Sequence, residues 1–429
     1  MKDLLQTLEA KQPVVYRRNM YYRSAQPLRY TRSKIDPRIM PFRTNLCKVA
    51  VQAVAERIRL TDVKATIRGR DASQRARQLI QDCDLPMLLQ SIVTDALAVG
   101  SAYLLVWVDG YGRPCITGES AEQMAVLRDP ITREVTEAVK RWYVQDANGV
   151  IRDEYVVRYT PTKILRFKRD TFNGRLAFQE SIDNPLGVVP VVPLINVERL
   201  GDDTGTSVVD DLAPLIDALN KVFIDMLTTS ESVARPKRWA TGVDLEERDE
   251  FGVDEGWTAA NATAVDQKRP TPDAGEVRAP FTDADDMWVS EAPESKFGQL
   301  AGADLGGYKT AVDLIVQQIM AVSALPAHLV GITSANPATA EALRASEVSL
   351  ASNAQSRINV FNRPIEWAVR LLVAIDAGAD PADVEVDLTW ADPSTRSVAQ
   401  AADAAGKLHQ EQIITTDEAR ELVGAGSEI

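Results

Sequence analysis

Asp210-Asp211-Leu212-Ala213-Pro214-Leu215-Ile216-Asp217-Ala218-Leu219-Asn220-Lys221-Val222-Phe223-Ile224-Asp225-Met226 is the stretch on which the architecture turns. Leu212, Leu215, Ile216, Leu219, Val222, Phe223 and Met226 recur at three- and four-residue intervals, which lays one apolar stripe along an α-helix. Asp217, Asn220, Lys221, Ile224 and Asp225 take the opposite side. Asp210 and Asp211 stand at the start, where carboxylates favour the positive end of the helix dipole. Arg235-Pro236 closes the helix, because the residue before a proline is steered out of the helical region. A second helix is predicted over 303–324, from Leu305, Tyr308, Val312, Ile315, Ile319 and Val322, and it stops at Leu325-Pro326. The sequence between them, 237–298, is of another kind: acidic, turn-rich and weakly periodic, with β-like pieces at Arg238–Thr241 and Met287–Val289. Two helices therefore flank a small β-containing insertion.

Beyond the second helix, residues 327–339 hold Gly331, Ser334, Asn336 and Pro337 and read as a loop. A third helix over 340–377 would span roughly 55 Å at ~1.5 Å per residue, with Pro364 predicting a kink or break near 360–364. Val384–Trp390 alternates as a strand, and 395–408 and 416–424 are helical. Before the first helix, 200–206 is a Gly/Asp/Thr joint. Asn184–Leu194 is extended, and Pro190 and Pro193 argue against a central strand. Leu88, Leu89, Ile92, Val93, Leu97 and Val99 form a helix that Gly100 ends. Ala102–Val108 is a buried strand, turning through Asp109-Gly110-Tyr111-Gly112 into a return strand. Further β-like pieces at Arg141–Val144, Glu154–Tyr159 and Lys163–Phe167 suggest an antiparallel meander. Asn45–Arg59 and much of the first forty-odd positions read as helix and loop. The class is α+β, mainly α.

The chain has 429 residues and a net charge of -13, unevenly spread: residues 1–80 hold 18 Lys/Arg against 6 Asp/Glu, and 241–300 hold 15 Asp/Glu against 5 Lys/Arg. Such a split suits contact between charge-complementary copies, or two solvated faces. No run reaches the ~20 apolar residues of a membrane helix, and the N-terminus shows no secretory signal. Cys47, Cys83 and Cys115 form no CxxC pair, which argues against a disulfide framework or a zinc site. The two histidines, His328 and His409, have no nucleophile elbow beside them. No GxxxxGK[ST] or GxGxxG phosphate loop is present. Asp283, Asp285 and Asp286 lack the spacing of a calcium loop and read as a solvated acidic loop. The sequence thus points away from an enzyme and calls for no cofactor or metal.

The order of elements resembles the portal proteins of tailed bacteriophages, in particular the siphophage type of Gram-positive hosts. Asp95–Trp107 is similar to that family's helix-to-strand joint in the wing. Leu186–Pro193 is similar to the extended stretch before the stem, Leu215–Lys221 to the first stem helix, and Val384–Pro393 followed by Ala401-Ala402-Asp403-Ala404 to the approach to the crown. The resemblance implies a wing over 1–205, stem helices over 206–236 and 299–324, and a clip over 237–298. It further implies a tunnel loop over 325–340, a long kinked helix over 341–378, a wing strand over 379–394 and a crown over 395–429. It implies a homo-oligomeric ring, usually of twelve copies, at one capsid vertex of the virion, assembled in the host cytoplasm. Its partners would be double-stranded DNA, the major capsid protein, scaffolding protein, the terminase large subunit and the head-tail connector, with no membrane. Thr333, Ser334, Asn336 and Thr339 would be the DNA-facing loop residues. Arg238, Trp239, Asp285, Asp286 and Trp288 would belong to the clip docking surface.

The physics of a conduit is consistent with this. Every phosphate neutralised by Lys or Arg adds salt-dependent grip, so a channel that must let a duplex slide benefits from a subunit acidic overall. Lys221, Lys309 and Arg344 are the candidates for phosphate contact by position, the plainer reading being solvated or ion-paired side chains. A ring also needs two different faces per subunit, and Arg17, Arg18, Arg23 and Arg29 are expected to meet an acidic face of the neighbour. The competing readings are another head-tail connector or minor capsid ring protein, and a metal-dependent nucleotidyl- or phosphotransferase.

Overall fold

The apolar run that follows Gly100 lies at the centre of the molecule. The computed structural model describes residues 2–30, 42–170, 174–234, 238–241, 294, 296–299, 305–331, 340–394, 398–416 and 419–420. In it Ser101–Val108 forms β3, paired antiparallel with β4 (Pro114–Ser120) on one side and β10 (Val191–Ile195) on the other. Asp109 closes the β3–β4 hairpin: its Oδ1 accepts the amides of Tyr111 and Arg113 at 2.8 and 2.9 Å. The proline-punctuated run enters the sheet only as the edge strand β10, with Pro193 opposite Tyr103, a place where a residue lacking an N–H is tolerated.

Helices close over this sheet. The helix predicted before Gly100 is α4 (Leu85–Val99), which buries Leu89, Ile92, Val93, Ala96 and Leu97 at helical spacing. The long helix α7 (Ala340–Ala377) packs across β10, β3 and β4 and also meets α2 (Leu46–Ala55) and α3 (Ser73–Asp82). It runs unbroken through Pro364, so the break predicted near 360–364 does not occur. The reason is its buried stripe of Leu350, Ile358, Phe361, Ile365, Val369 and Leu372. Each such side chain contributes about 1.5–3 kcal/mol on burial, which together outweighs the ~3 kcal/mol of one interior proline.

A second sheet is the expected meander: β5 (Met124–Arg128), β6 (Val135–Gln145), β7 (Ile151–Tyr159), β8 (Lys163–Asp170) and β9 (Leu176–Asp183), antiparallel in chain order. The first half of α1 (Lys2–Tyr22) lies on it, with Leu4 and Leu8 against Ala125, Val139 and Val156. A third sheet was not legible in the sequence. Its strand β1 (Leu60–Ile67) pairs with β2 (Arg70–Asp71) and, along its whole length, with β13 (Val384–Trp390), which ties the C-terminal part of the chain to its first third.

The two helices that flank the acidic insertion are α5 (Val208–Ala234) and α6 (Gly306–Ser323). They pack against each other, and the hydroxyls of Thr229 and Tyr308 meet at 2.9 Å. Just past them, β11 (Arg238–Thr241) pairs antiparallel with β12 (Lys296–Gln299). The strand partner of Arg238–Thr241 is therefore 296–299; the β-like piece at Met287–Val289 lies outside the described residues. A 3-10 turn at Ala327–Val330 follows α6, and α8 (Val398–Gln410) follows β13. Among the described residues no helix is long and apolar enough to cross a membrane.

Candidate functional site: the joint that seats helix α5

The segment 196–207, which reads in sequence as a joint, is held tightly between α4 and α5. Gly100 and Gly205 have φ of +100° and +79°, a region that only glycine enters cheaply. Their backbones nearly touch: a Cβ on Gly205 would sit 2.0 Å from the carbonyl oxygen of Gly100. Asn196, 0% exposed, stitches the two strands of chain together. Its amide donates to Gly100 O at 2.9 Å and its Nδ2 to Thr206 O at 2.8 Å, while Thr206 N donates back to Asn196 O at 3.0 Å. The side-chain oxygen of Asn196 accepts from Arg357 Nη1 of α7 at 2.7 Å, and Arg357 also pairs with Glu198. Leaving any of these groups unpaired would cost about 1–3 kcal/mol.

The first turn of α5 is pinned from two sides. Ser207 Oγ donates to Ala98 O, at the end of α4, and accepts the amide of Val209 at 3.0 Å. Asp210 accepts from Arg17 Nη2 and from Arg18 Nε, both at 2.9 Å. Arg18 is only 11% exposed and also donates to the carbonyls of Val99 and, at 3.3 Å, Gly205. One guanidinium thus bridges α1, the end of α4, the joint and α5. Further along α5, Tyr21 OH donates to Asp217 Oδ2 at 2.8 Å, with Arg29 at 3.5 Å. Burial raises the Asp217 carboxyl above its ordinary value, against the lowering pull of Tyr21 and Arg29; burial first, then the Asp217 bond, pushes the Tyr21 phenol up to about 12. One turn on, Asn220 Oδ1 accepts the amide and hydroxyl of Thr44 at 2.9 and 3.0 Å.

Arg17, Arg18 and Arg29, expected to face a neighbouring copy, also have partners inside the chain: Asp210 for the first two and Asp217 for the third. Sequence reasoning assigned Asp210 to the helix dipole alone and missed Arg18 as its partner, and Asn196 and Arg357 as the bracing of the joint. The only local signal was the glycine at each end of the contact.

The other residues singled out are dispersed. Lys221 forms an i,i+4 pair with Asp225 on α5. Lys309 is exposed near the start of α6, and Arg344 is half-buried in the first turns of α7 and engaged in the fold. Arg238 and Trp239 lie in β11, opposite Gln299 and Gly298. Thr333, Ser334, Asn336, Thr339, Asp283, Asp285, Asp286 and Trp288 lie outside the described residues. His328 Nε2 is 3.2 Å from Glu347 Oε1, and the other Glu347 oxygen takes Arg57 at 3.2 Å, so His328 belongs to a polar cluster joining the 3-10 turn to α7 and the turn after α2.

A sequence profile of the family described as "Phage portal protein, SPP1 Gp6-like" matches residues 9–424, nearly the whole chain. The chain belongs to the phage portal protein family. Among its portal relatives is the portal protein of Mycobacterium phage L5, 31% identical over 299 residues that make up 69% of this chain and 56% of the relative. Another is the portal protein of Mycobacterium phage D29, 30% identical over 318 residues, 72% of this chain and 60% of the relative. The alignments with these two portal proteins thus span less than two thirds of their length. The fold is also that of a chain in the neck of an empty GTA particle computed with C6 symmetry: TM-score 0.50 at 13% identity, over 96% of this chain and 93% of the other.

Proposed function

We propose that copies of this portal-family chain close into a ring at one vertex of a capsid, and that double-stranded DNA passes through the ring during packaging and ejection. The observation that carries the reading is the family match over 9–424, joined to a fold in which one helical pair is seated on a braced body. On this reading α5 and α6 are the stem, and the segment joined by β11 and β12 is the clip. The clip docks the terminase motor during loading and the head-tail connector afterwards. Residues 325–340 are the tunnel loop, the sheets with α1 to α4 and α7 are the wing that meets the capsid shell, and the C-terminal helices are the crown. The ring assembles with scaffolding and major capsid protein in the host cytoplasm, and its copy number is twelve.

The role is mechanical rather than catalytic. A net charge of -13 per copy supports it, because an acidic conduit repels phosphate and keeps binding weak, whereas a DNA gripper needs a basic surface. The Lys221–Asp225 pair removes one cation from the set available to phosphate. A head-tail connector ring is the alternative. Negative-stain microscopy of the purified protein tests the proposal: rings with an axial hole are expected, and a protein that stays monomeric across salt and concentration overturns it. Incorporation into procapsids before DNA entry separates a portal from a connector, which joins afterwards.

A further inference from the structure

Two of the three cysteines come together where the α3–α4 turn meets the free edge of the central sheet. Cys83 follows α3 directly, and Asp84 after it has φ of +49°. Cys115 lies on β4, which is paired with β3 on one side only. The sulfur of Cys83 lies 3.7 Å from the carbonyl oxygen of Pro114, and the amide of Ile116 donates toward the same sulfur. Cys83 is thus seated on the backbone groups that flank Cys115 on either side. By standard peptide dimensions that carbonyl oxygen is about 3 Å from the Cys115 Cα, which leaves the Cys83 sulfur within roughly 7 Å of it. Both thiols are partly exposed, whereas Cys47 is buried.

We propose that Cys83 and Cys115 are an oxidisable pair that closes to an intramolecular disulfide in the presence of a small disulfide oxidant. With glutathione disulfide the chemistry is two successive exchanges. One protein thiol loses its proton, and its thiolate attacks a glutathione sulfur. The glutathione S–S bond breaks, and one glutathione leaves as a thiolate that takes up a proton. The second protein thiolate then attacks the protein sulfur of the mixed disulfide and expels the other glutathione. The protein pair gives up two electrons, and glutathione disulfide is reduced to two thiols. The bond staples the turn before α4 to β4 and covers that sheet edge. Burial raises both thiols above their ordinary value, so the reaction accelerates toward alkaline pH. If the chain is a virion component, the staple is open in a reducing cell and closes after release; only that last consequence rests on the portal reading.

The test is incubation of the folded full chain with glutathione disulfide at pH 8, followed by alkylation without reduction and peptide mapping. The expected result is a peptide linked through Cys83 and Cys115, with Cys47 recovered as an alkylated thiol and the link lost on adding dithiothreitol. In Cys83→Ser the expected product is a mixed disulfide of glutathione on Cys115, which shows that the partner is what resolves it. Mixed disulfides on both cysteines of the wild type, or no oxidation while a surface-cysteine control reacts, overturns the pairing. Neither outcome bears on ring formation, which is read separately by microscopy.

Discussion

At the scale of single residues the account rests on Gly100, Gly205, Arg18, Asp210 and Asp217. Gly205→Ala puts a Cβ 2.0 Å from a backbone oxygen at a φ of +79°. It is expected to lose about 3–5 kcal/mol, the sum of left-handed strain and a clash with backbone that cannot step aside. Gly201→Ala is the matched control: its φ is +92° but nothing lies within 4 Å, so only the backbone component of about 1–2 kcal/mol is expected. Urea unfolding of the two variants side by side measures the difference, and equal losses contradict a tight joint. Asp217 gives a pH signature. Because burial raises its carboxyl, the folded chain holds that proton more firmly than the unfolded one. Its contribution to stability is therefore fullest below the ordinary value of 3.8 and is lost as pH rises through the folded value. Asp217→Asn keeps an acceptor for Tyr21 and does not titrate, so it is expected to gain on the wild type as pH goes from about 4 to 7. A gap that stays flat across that range, read from melting temperatures, contradicts the buried charge. Asp62 runs the other way: the Arg77 fork lowers it, so its support fades as pH falls. Almost none of this was legible in the sequence. Arg18 and Asp210 are 192 residues apart, and a local pattern can place Asp210 at a helix start without revealing what holds it.

At the scale of elements the sequence spoke clearly wherever burial is periodic. α4, α5, α6, α7, β3 and β13 lie close to the spans read for them, but two faces differ: Asp217, Asn220 and Ile224, read onto the far side of α5, are buried, while Leu305 and Val322 of the stripe read for α6 are exposed. The misses share a cause. Along β1 only Val63 and Ala65 are buried, between Thr61, Asp62, Lys64 and Thr66, and its partner β13 lies more than three hundred residues on. α3 buries only Ala76, Leu79 and Ile80 in a run of glutamines and arginines. β12 is the short Lys296–Gln299, with one aromatic residue and no apolar alternation to mark it. Pro364 was legible as a disturbance but not as one that packing overrides. Pro364→Ala would restore the amide that the Val360 carbonyl lacks and is expected to stabilise by about 1–3 kcal/mol. A thermal melt reads the shift, and a lower melting temperature would mean that α7 needs the proline for its native path.

At the scale of the whole molecule, part of the basic charge of residues 1–80 is met within the chain. Arg17 and Arg18 meet Asp210, Arg57 meets Glu347, Arg68 meets Asp383, and Arg75 meets Asp376, all within one chain. These pairs bind the N-terminal third to α5, to α7 and to the approach to β13, which makes one braced body from segments distant in sequence. Such a body can hold a helical pair at a fixed angle, which is what a ring enclosing a sliding duplex requires of each copy. A subnanometre cryo-electron microscopy map of the assembled ring tests this most directly. The account predicts α5 and α6 as the helices nearest the axis, around an opening that admits a DNA duplex; a sealed axis, or the five-stranded sheet innermost, would contradict it.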